Sequence, residues 1–260
     1  MVRKVLYIIF IILALVSTAL LVMLFYESKD GEPVTQTVGR TIKTMAEKGE
    51  PREFLLPDQI VTKPRNIYVS TDGEKRTIRF STTFINQGDG PLEVLGHPDE
   101  EAGVTYAAQY VKERMGPGKY QDIGEFVYHP GHKHWHLEDY VFYQLIPSAD
   151  SSETPITQTD KMSFCIWDED RENSELPNAS DVQIFPFDCA RQIQGMSVGW
   201  SDTYGAEFEG QEMNITEIPD GEYIFRSIVN PDRKVEEKDY DNNTSEVRIL
   251  LSGNNIEVIE

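Results

Sequence analysis

Basic residues are scarce in this chain. Of its 260 residues only 24 are lysine or arginine, against 44 aspartate or glutamate, and the formal net charge at pH 7 is −20. A surface of this sign repels phosphate backbones, so nucleic acid is excluded as an expected partner. It attracts amines and lysine-rich polypeptides, although solubility or a salty habitat explains an acidic surface equally well.

Cysteine is scarcer still, because the chain contains only Cys165 and Cys189. Two cysteines exclude a disulfide-rich scaffold and suit one disulfide outside the cytoplasm. Internal repeats and low-complexity blocks are absent from the sequence. The apolar content of 39% is sufficient for one substantial core or two small ones.

One long apolar run extends from Val5 to Tyr26, with Arg3 and Lys4 before it and mainly acidic residues after it. The run is about long enough to cross a bilayer as a helix, and the charge asymmetry places its N-terminus in the cytoplasm. We therefore predict a transmembrane anchor over residues 1–26, with the remainder of the chain outside the cytoplasm. A cleaved signal peptide, which would release the chain, is the alternative, but the run is long for a signal core and lacks a clear cleavage site.

Short alternating segments dominate the sequence after a polar stalk over residues 27–53. From Phe54 onward, β-branched and aromatic runs are separated by turn residues such as Asp72-Gly73, a pattern typical of antiparallel strands. We predict an all-β fold, a β-sandwich core with long functional loops and a few short helices, over residues 54–253. One short helix is predicted within residues 100–115, and residues 254–260 are predicted to form a C-terminal tail.

Histidine is also rare, yet four of the five histidines, at positions 129, 132, 134 and 136, lie in one short segment. In an extended chain His132, His134 and His136 point to one face, and a bend after Pro130-Gly131 would bring them close together. Imidazole-only ligation suits Cu(II), Zn(II) or Ni(II), and the spacing does not choose among them. A histidine-rich surface loop is the alternative, although the surrounding aromatic residues indicate packed structure.

Several segments resemble those of one known family. The run YHPGHKHWHLEDY, from Tyr128 to Tyr140, resembles the copper-binding segment of lysyl oxidases. The likeness continues in KMSFC from Lys161, in the stretch from Gly195 to Pro231 that includes SDTYGA, and in EKDYDNN from Glu237. It begins with LLPD near Leu55 and NQGDGPL at Asn86. In all, the resemblance covers about residues 54–253, in order.

The resemblance implies a copper site and a cofactor derived from the protein itself. The copper ligands of the family fall on His132, His134 and His136. Its lysine tyrosylquinone falls on Lys161 and Tyr204, which taken singly would be an ordinary surface lysine and a core or edge tyrosine. Such a cofactor oxidises primary amines to aldehydes, and O2 reoxidises it with release of hydrogen peroxide and ammonia.

The general base of this reaction is less well defined by the resemblance. Animal members have a further histidine downstream of the copper segment, and this chain has none there. Asp139 is our candidate, followed by Glu138, although either could instead be a solvated acid or could orient a ligand imidazole. His129 is expected to support the loop, because three histidines already form an open catalytic site.

Some members of the family also bind calcium, and the resemblance extends to that site. The implied ligands are oxygen atoms of Asp58, Gln59 (through its backbone carbonyl), Glu237, Asp239, Asn242 and Asn243. Bound Ca(II) would link the first strand of the domain to its last hairpin. An acidic, hydrated turn is the alternative interpretation of the same residues.

Taken together, these features predict a membrane-anchored, copper-dependent amine oxidase. Its expected cofactors are Cu(II), the Lys161–Tyr204 quinone and Ca(II), and its expected partners are O2 and an amine or lysine-containing polypeptide. Peptidyl lysine, free lysine and small amines all remain open as substrates. The alternative is a metal-binding β-sandwich adhesion module without turnover. A zinc hydrolase is disfavoured because the histidine segment contains no carboxylate between its histidines to act as a base.

Overall fold

The structure of this protein is a computed structural model that describes residues 52–131, 133–149, 153–189 and 192–259. The predicted anchor, nearly all of the predicted stalk and His132 lie outside the described residues. Within the described part of the chain, no helix is long and apolar enough to cross a membrane. Residues from Glu53 onward form a single unit.

The described residues form strands and no helix, in agreement with the predicted all-β class. In chain order the strands are β1 (Phe54–Leu55), β2 (Gln59–Val61), β3 (Arg65–Asp72), β4 (Lys75–Asn86), β5 (Leu92–Asp99), β6 (Val104–Glu113), β7 (Lys119–His129), β8 (His134–Pro147), β9 (Thr157–Gln158), β10 (Met162–Phe164), β11 (Asp170–Arg171), β12 (Ile193–Met196), β13 (Trp200–Tyr204), β14 (Glu212–Asn214), β15 (Gly221–Val229), β16 (Thr244–Ser252) and β17 (Asn255–Val258).

These strands build two sheets. The larger has the order β12-β5-β6-β7-β8-β15-β16-β17, with β1 added to β6 and with β9 and β10 added to β8. The smaller has the order β11-β13-β4-β14, with β2 and β3 paired to β4. Strand β8 pairs with four other strands of the larger sheet, and β4 pairs with four other strands of the smaller one. The residues of the candidate site lie mainly on β8, β10 and β13.

The core lies between the two sheets and is rich in aromatic side chains. Phe80 of β4 contacts Tyr143 of β8 and Phe225 of β15, with ring centroids 4.5 and 4.7 Å apart. Phe84 lies four residues further along β4, on the same face as Phe80. It packs on Tyr140 with ring centroids 5.4 Å apart. Side chains of β15 alternate between buried and partly exposed, as expected for a strand with one face on a core. These contacts confirm the predicted sandwich core.

The predicted short helices are wrong within the described residues. The segment assigned to a helix within residues 100–115 forms strand β6, which pairs with β5 on one side and β7 on the other. Its alanines, Ala107 and Ala108, suggest a helix by propensity, but both are buried in the sheet. Tertiary pairing has overridden a weak local preference. The residues after Gly253, predicted as a tail, include strand β17, which pairs with β16.

Candidate active site

The histidine segment is a hairpin between β7 and β8. His129 is the last residue of β7 and pairs with His134, the first residue of β8. The turn is closed by a hydrogen bond of 2.7 Å from the amide of Lys133 to the carbonyl of His129, and Lys133 has a positive φ of 60°. The bend that was predicted after Pro130-Gly131 is therefore present, in the form of a tight turn.

Two of the three predicted copper ligands meet on this hairpin. The Nε2 atoms of His134 and His136 lie 2.8 Å apart, a separation that lets both nitrogens bond one ion at ~2 Å. The ring of His129 stacks on that of His136 with centroids 4.2 Å apart. The described residues contain no group of three metal-binding side chains, and the third predicted ligand, His132, lies outside them.

Ser163 of β10 faces the other side of these imidazoles. Its Oγ lies 3.4 Å from Nδ1 of His136 and 3.5 Å from Nε2 of His129. A hydrogen-bonding group at the nitrogen that faces away from a metal fixes the orientation of a ligand imidazole. Ser163 thus occupies the place of a residue that orients His136, and it belongs to the same KMSFC segment as Lys161.

Tyr204 ends strand β13 beside the histidines. Its hydroxyl donates to the carbonyl of Cys165 at 2.7 Å and accepts from the amide of Cys165 at 2.8 Å. The ring packs edge-on against Phe164 with centroids 4.1 Å apart. Burial, followed by the nearby carboxyl of Asp202, raises the pKa of Tyr204 well above its ordinary value. The phenol is therefore held protonated and fixed in position.

Asp202 lies two residues before Tyr204, so that both side chains leave the same face of β13. It is only 1% exposed, and among the described residues its Oδ1 atom has no hydrogen-bond partner. Burial, then the charge of Glu169, raises the pKa of Asp202 well above its ordinary value, against hydrogen bonds from Trp167 that lower it. A buried carboxyl group whose pKa is raised thus sits beside the candidate cofactor tyrosine.

A cavity of about 760 Å³ connects these groups. His134, His136 and Tyr204 line it together with Ser163 and Cys165. The rest of the described lining is acidic and aromatic, apart from Thr203: Trp167, Glu169, Phe187, Asp202, Glu207, Phe208 and Glu209. Two of the predicted copper ligands, His134 and His136, and the predicted cofactor tyrosine therefore share one cavity that is large enough for a small substrate.

Lys161 does not line this cavity. Its ammonium group is ion-paired with Asp232, with Nζ 2.5 Å from Oδ2, and this hydrogen bond is the main reason why the pKa of Lys161 is raised. Asp139, the predicted base, pairs with Lys234 at 2.7 Å, and Lys234 also approaches Asp232 at 3.9 Å. The structure therefore brings Tyr204 to the histidines but leaves Lys161 and Asp139 in a separate charged cluster.

Glu138, the second candidate for the base, is largely exposed on β8 and is not part of the cavity lining. Burial of part of its side chain, followed by repulsion from Asp139 and Glu125, raises its pKa. Its neighbour Asp139 has a positive φ of 57° and lies where the pairing of β8 with β10 shifts register between Met162 and Phe164. This irregularity bends the two strands at the point where Lys161 enters β10.

The predicted disulfide between Cys165 and Cys189 is present. Cys165 lines the cavity, and its backbone holds the Tyr204 hydroxyl. The carbonyl of Cys189 accepts a hydrogen bond of 2.8 Å from the amide of Trp135, between the two histidines. The bridge therefore ties the histidine hairpin, the KMSFC strand and the cofactor tyrosine to one another.

Five of the six residues predicted to bind calcium also lie together, namely Asp58, Gln59, Glu237, Asn242 and Asn243. The Glu237 carboxylate accepts hydrogen bonds from the amide of Gln59 at 2.6 Å and from Nδ2 of Asn243 at 2.8 Å. Nδ2 of Asn242 donates to Asp58 at 2.8 Å. Burial raises the pKa of Glu237 from 4.5 to about 7. Asp239 accepts from the amide of Asp241 at 2.8 Å.

The chemistry of this oxygen cluster suits a hard cation. Among the described residues, the Oδ1 atoms of Asn242 and Asn243 are buried without hydrogen-bond partners. Two unpartnered amide oxygens beside two carboxylates are costly in a protein interior unless a cation neutralises them. The residues present therefore fit Ca(II), which prefers carboxylate and carbonyl oxygens.

Comparison with known proteins agrees with this architecture. The family model described as lysyl oxidase matches residues 109–260, more than half of the chain. The chain belongs to the lysyl oxidase family. Lysyl oxidase homolog 2 from Gallus gallus is 29% identical over 188 residues, and the proteins of the same name from Bos taurus and Homo sapiens are 31% and 30% identical over 188 residues. Each match covers 72% of this chain and 20% of the relative, so the chain spans about a fifth of the length of these curated relatives.

The lysyl oxidase match includes the histidine hairpin, Lys161, Tyr204 and the last hairpin, whereas Asp58 and Gln59 precede it. Several cavity residues of this family member were not predicted from sequence, namely Ser163, Glu169, Asp202 and Glu207. A signal for Asp202 was available, because strand alternation in SDTYG puts Asp202 and Tyr204 on one face. The same alternation puts Ser163 on one face with Lys161 in KMSFC. Glu169 and Glu207 lie outside regular strands, so no strand pattern indicates them.

Proposed function

We propose that this lysyl oxidase family member is a copper-dependent amine oxidase. The net reaction converts a primary amine, O2 and water into an aldehyde, ammonia and hydrogen peroxide. The observation that carries the proposal is the shared cavity, which Tyr204 and the His134–His136 pair both line. A lysine side chain of a polypeptide is the expected substrate, because the relatives are named lysyl oxidase homologs.

Copper fits the donor set of this chamber. His134 and His136 present two nitrogens to one point, and His132 is proposed as the third ligand. Imidazole nitrogens favour Cu(II) and Zn(II) over Ca(II) or Mg(II), and the buried tyrosine next to them favours a redox-active ion. Ser163 would hold His136 in its ligating orientation, because its hydroxyl faces the opposite ring nitrogen.

The proposed cofactor joins Lys161 to Tyr204, and when present it supplies the electron sink for amine oxidation. Tyr204 lines the cavity that His134 and His136 also line. Lys161 does not, because it is paired with Asp232 outside the cavity lining. Formation of the cross-link therefore requires Lys161 to leave Asp232, lose its proton and enter the cavity.

Asp202 and Asp139 are both proposed proton acceptors for the α-carbon of the substrate, and geometry favours Asp202. Its carboxyl lies in the cavity beside Tyr204, whereas Asp139 is paired with Lys234 outside that lining. A buried acid with a raised pKa accepts a proton near neutral pH more readily than an exposed one. Hydrogen bonds from Trp167 hold Asp202 in position.

The proposal also includes a bound calcium ion and a membrane anchor. Ca(II) would occupy the oxygen cluster around Glu237 and stabilise the fold. The N-terminal apolar run would anchor the chain in a membrane, with the oxidase domain outside the cytoplasm, where the Cys165–Cys189 disulfide is stable.

The test uses the full chain in detergent, loaded with copper under O2. Phenylhydrazine labelling and peptide mass analysis should identify a cross-link between Lys161 and Tyr204, and a primary amine should yield peroxide. Lys161→Arg should abolish both signals while copper remains bound, and Lys63→Arg, outside the cavity, serves as control. Copper-loaded wild-type protein without a cross-link would exclude the oxidase and favour a metal-binding adhesion module.

A further inference from the structure

The cavity beside Tyr204 has a one-sided charge. Four carboxyl groups and three large aromatic rings line it, and its described lining includes no lysine or arginine. The acids are Glu169, Asp202, Glu207 and Glu209, and the aromatic residues are Trp167, Phe187 and Phe208. Acidic groups attract ammonium ions, and aromatic faces bind both ammonium ions and the methylene chains that carry them.

A buried group with unused hydrogen-bonding capacity lies in this lining. Asp202 is 1% exposed, and its Oδ1 atom has no hydrogen-bond partner among the described residues. Buried polar atoms are usually satisfied, so an orphan acceptor beside a cavity indicates a ligand that donates to it. A substrate amine is such a donor.

The loop after Tyr204 brings an acid of the cavity lining close to the tyrosine. A Cβ atom placed on Gly205 would lie 2.5 Å from both carboxylate oxygens of Glu207, so this carboxylate covers the backbone next to Tyr204. Arg79 of β4 holds the backbone of the same loop. Its guanidinium donates to the carbonyls of Ala206 at 2.5 Å and Phe208 at 2.7 Å. The exposed side chain of Glu207 therefore extends from a backbone that Arg79 positions.

Aromatic side chains line the cavity between Tyr204 and Glu207. Phe208 approaches Tyr204 edge-on, with ring centroids 6.2 Å apart. Trp167 and Phe187 pack together at 5.1 Å and form part of the same lining. Phe187 and Phe208 are 61% and 50% exposed, which leaves apolar surface available for a methylene chain.

We infer that this cavity selects primary amines that carry a second positive charge and discriminates against amines with an anionic end. The inference rests on the proposed function. The reacting amine would lie at the floor beside Asp202 and Tyr204, its methylene chain would lie along Phe208, and the second ammonium would pair with Glu207. Diamines, and lysine side chains next to another basic residue, share this chemistry. Free lysine also has a second ammonium group, but its carboxylate is bonded to the same carbon and would be repelled by Glu207.

Three ligands with similar chains test the inference, namely 1,5-pentanediamine, pentylamine and 5-aminopentanoate. They are titrated into the metal-free full chain in neutral detergent at low salt, with the fluorescence of Trp167 as readout and Trp167→Phe to assign the signal. The diamine should bind about fivefold more tightly than pentylamine, and aminopentanoate should bind most weakly. An acetylated, amidated Lys-Lys dipeptide compares the peptidyl source with the free diamine.

Glu207→Gln should reduce the preference for the diamine over pentylamine by about two- to fivefold, because only the diamine has a second ammonium group to pair with Glu207. Glu222→Gln, an exposed acid of β15 outside the cavity, should change neither affinity. Equal affinities for all three ligands, no binding at all, or a preference that survives Glu207→Gln would overturn the inference. The titration needs neither copper nor cofactor, so its failure leaves the oxidase proposal standing. Conversely, if no cross-link forms but the protein still prefers the diamine, the oxidase proposal fails and this inference about binding remains.

Discussion

At the scale of single residues, Tyr204 combines a structural role with its proposed chemical one. Its hydroxyl satisfies both the amide and the carbonyl of Cys165, which is 1% exposed. The hydroxyl thus uses both of these hydrogen bonds on the backbone of Cys165. The proposed conversion of this ring to a cofactor requires these two hydrogen bonds to rearrange.

Tyr204→Phe should therefore affect both stability and activity. Loss of the hydroxyl leaves two buried backbone groups of Cys165 without their partner, and we expect the free energy of unfolding to fall by roughly 1–3 kcal/mol. Peroxide production should disappear while copper content is retained. Urea denaturation, metal analysis and a peroxide assay measure these effects. Tyr223→Phe, which removes a hydroxyl that donates to the carbonyl of Pro219, should keep its activity. An active Tyr204→Phe protein would contradict the assignment.

The two candidate bases can be separated by matched substitutions. Asp202→Asn should lower the rate of amine oxidation by about 10²- to 10⁴-fold, because the carboxyl that faces the cavity can then no longer accept a proton. Asp139→Asn should change the rate little, since Asp139 pairs with Lys234 away from the cavity lining. Rates are compared per cross-linked cofactor, counted by phenylhydrazine labelling. The reverse order of effects would return the role to Asp139.

At the scale of strands and loops, the β8–β10 pair controls the position of Lys161. Met162 pairs with Val141 and Phe164 pairs with Leu137, so β8 contributes extra residues between the two pairs, Asp139 among them. Lys161 stands at the entrance of this irregular segment, held by Asp232. The ion pair is more than a third exposed on both sides and is weak enough to open.

Asp232→Asn should accelerate formation of the Lys161–Tyr204 cross-link. The substitution removes the charge that holds Lys161 and also removes the main cause of its raised pKa, so more of the uncharged amine is available. We expect the rate after copper addition to rise about two- to fivefold, followed by mass analysis of timed samples. Asp220→Asn, in a turn distant in sequence from Lys161, is the control. An unchanged or slower rate would show that Asp232 does not restrain the lysine.

The sequence predicts which segments form strands better than it predicts which side chains contact one another. Alternation correctly indicates β15 and β16 and the sandwich core, because one face of each strand is buried. It fails for β6, whose alanine-containing segment is equally compatible with a helix when its neighbours are unknown. The matched segments contain Tyr204 and His134, which line one cavity in the structure. They do not predict that Lys161 pairs with Asp232, because that contact joins residues 71 positions apart.

At the scale of the whole molecule, the oxygen cluster around Glu237 joins the start of the described domain to its end. Gln59 of β2 and Asp58 meet residues of the β15–β16 connection through hydrogen bonds that span more than 170 positions. Glu237 is 4% exposed, and burial raises its pKa to about 7. Without a cation, ionisation of this group opposes folding.

Stability should accordingly depend on pH and on calcium. The folded pKa of Glu237 is raised, so the calcium-free protein should lose stability as the pH rises from 4.5 through about 7, by up to roughly 3 kcal/mol. Calcium requires the ionised carboxylate, so the stabilisation it confers should be larger at pH 8 than at pH 6. Urea titrations of the full chain with calcium or with a chelator measure both effects.

Glu237→Gln should abolish most of this pH dependence and most of the calcium effect. Glu257→Gln, an exposed acid on β17, should preserve both. Equal stabilisation by calcium at pH 6 and pH 8 in the wild-type chain would contradict the assignment of Glu237 as a ligand.

The same long-range link has a consequence for how the chain folds. The amide of Gln59 in β2 donates to the Glu237 carboxylate. Just before β2, the carbonyl of Pro57 accepts a hydrogen bond from the amide of Lys238. These contacts cannot form until the last hairpin has been synthesised and, if the anchor prediction holds, exported. Contacts of such high sequence separation form slowly, because most of the chain must first be ordered. We expect the cation cluster to be among the last parts of the domain to assemble, so that calcium supply would act on the final folding step.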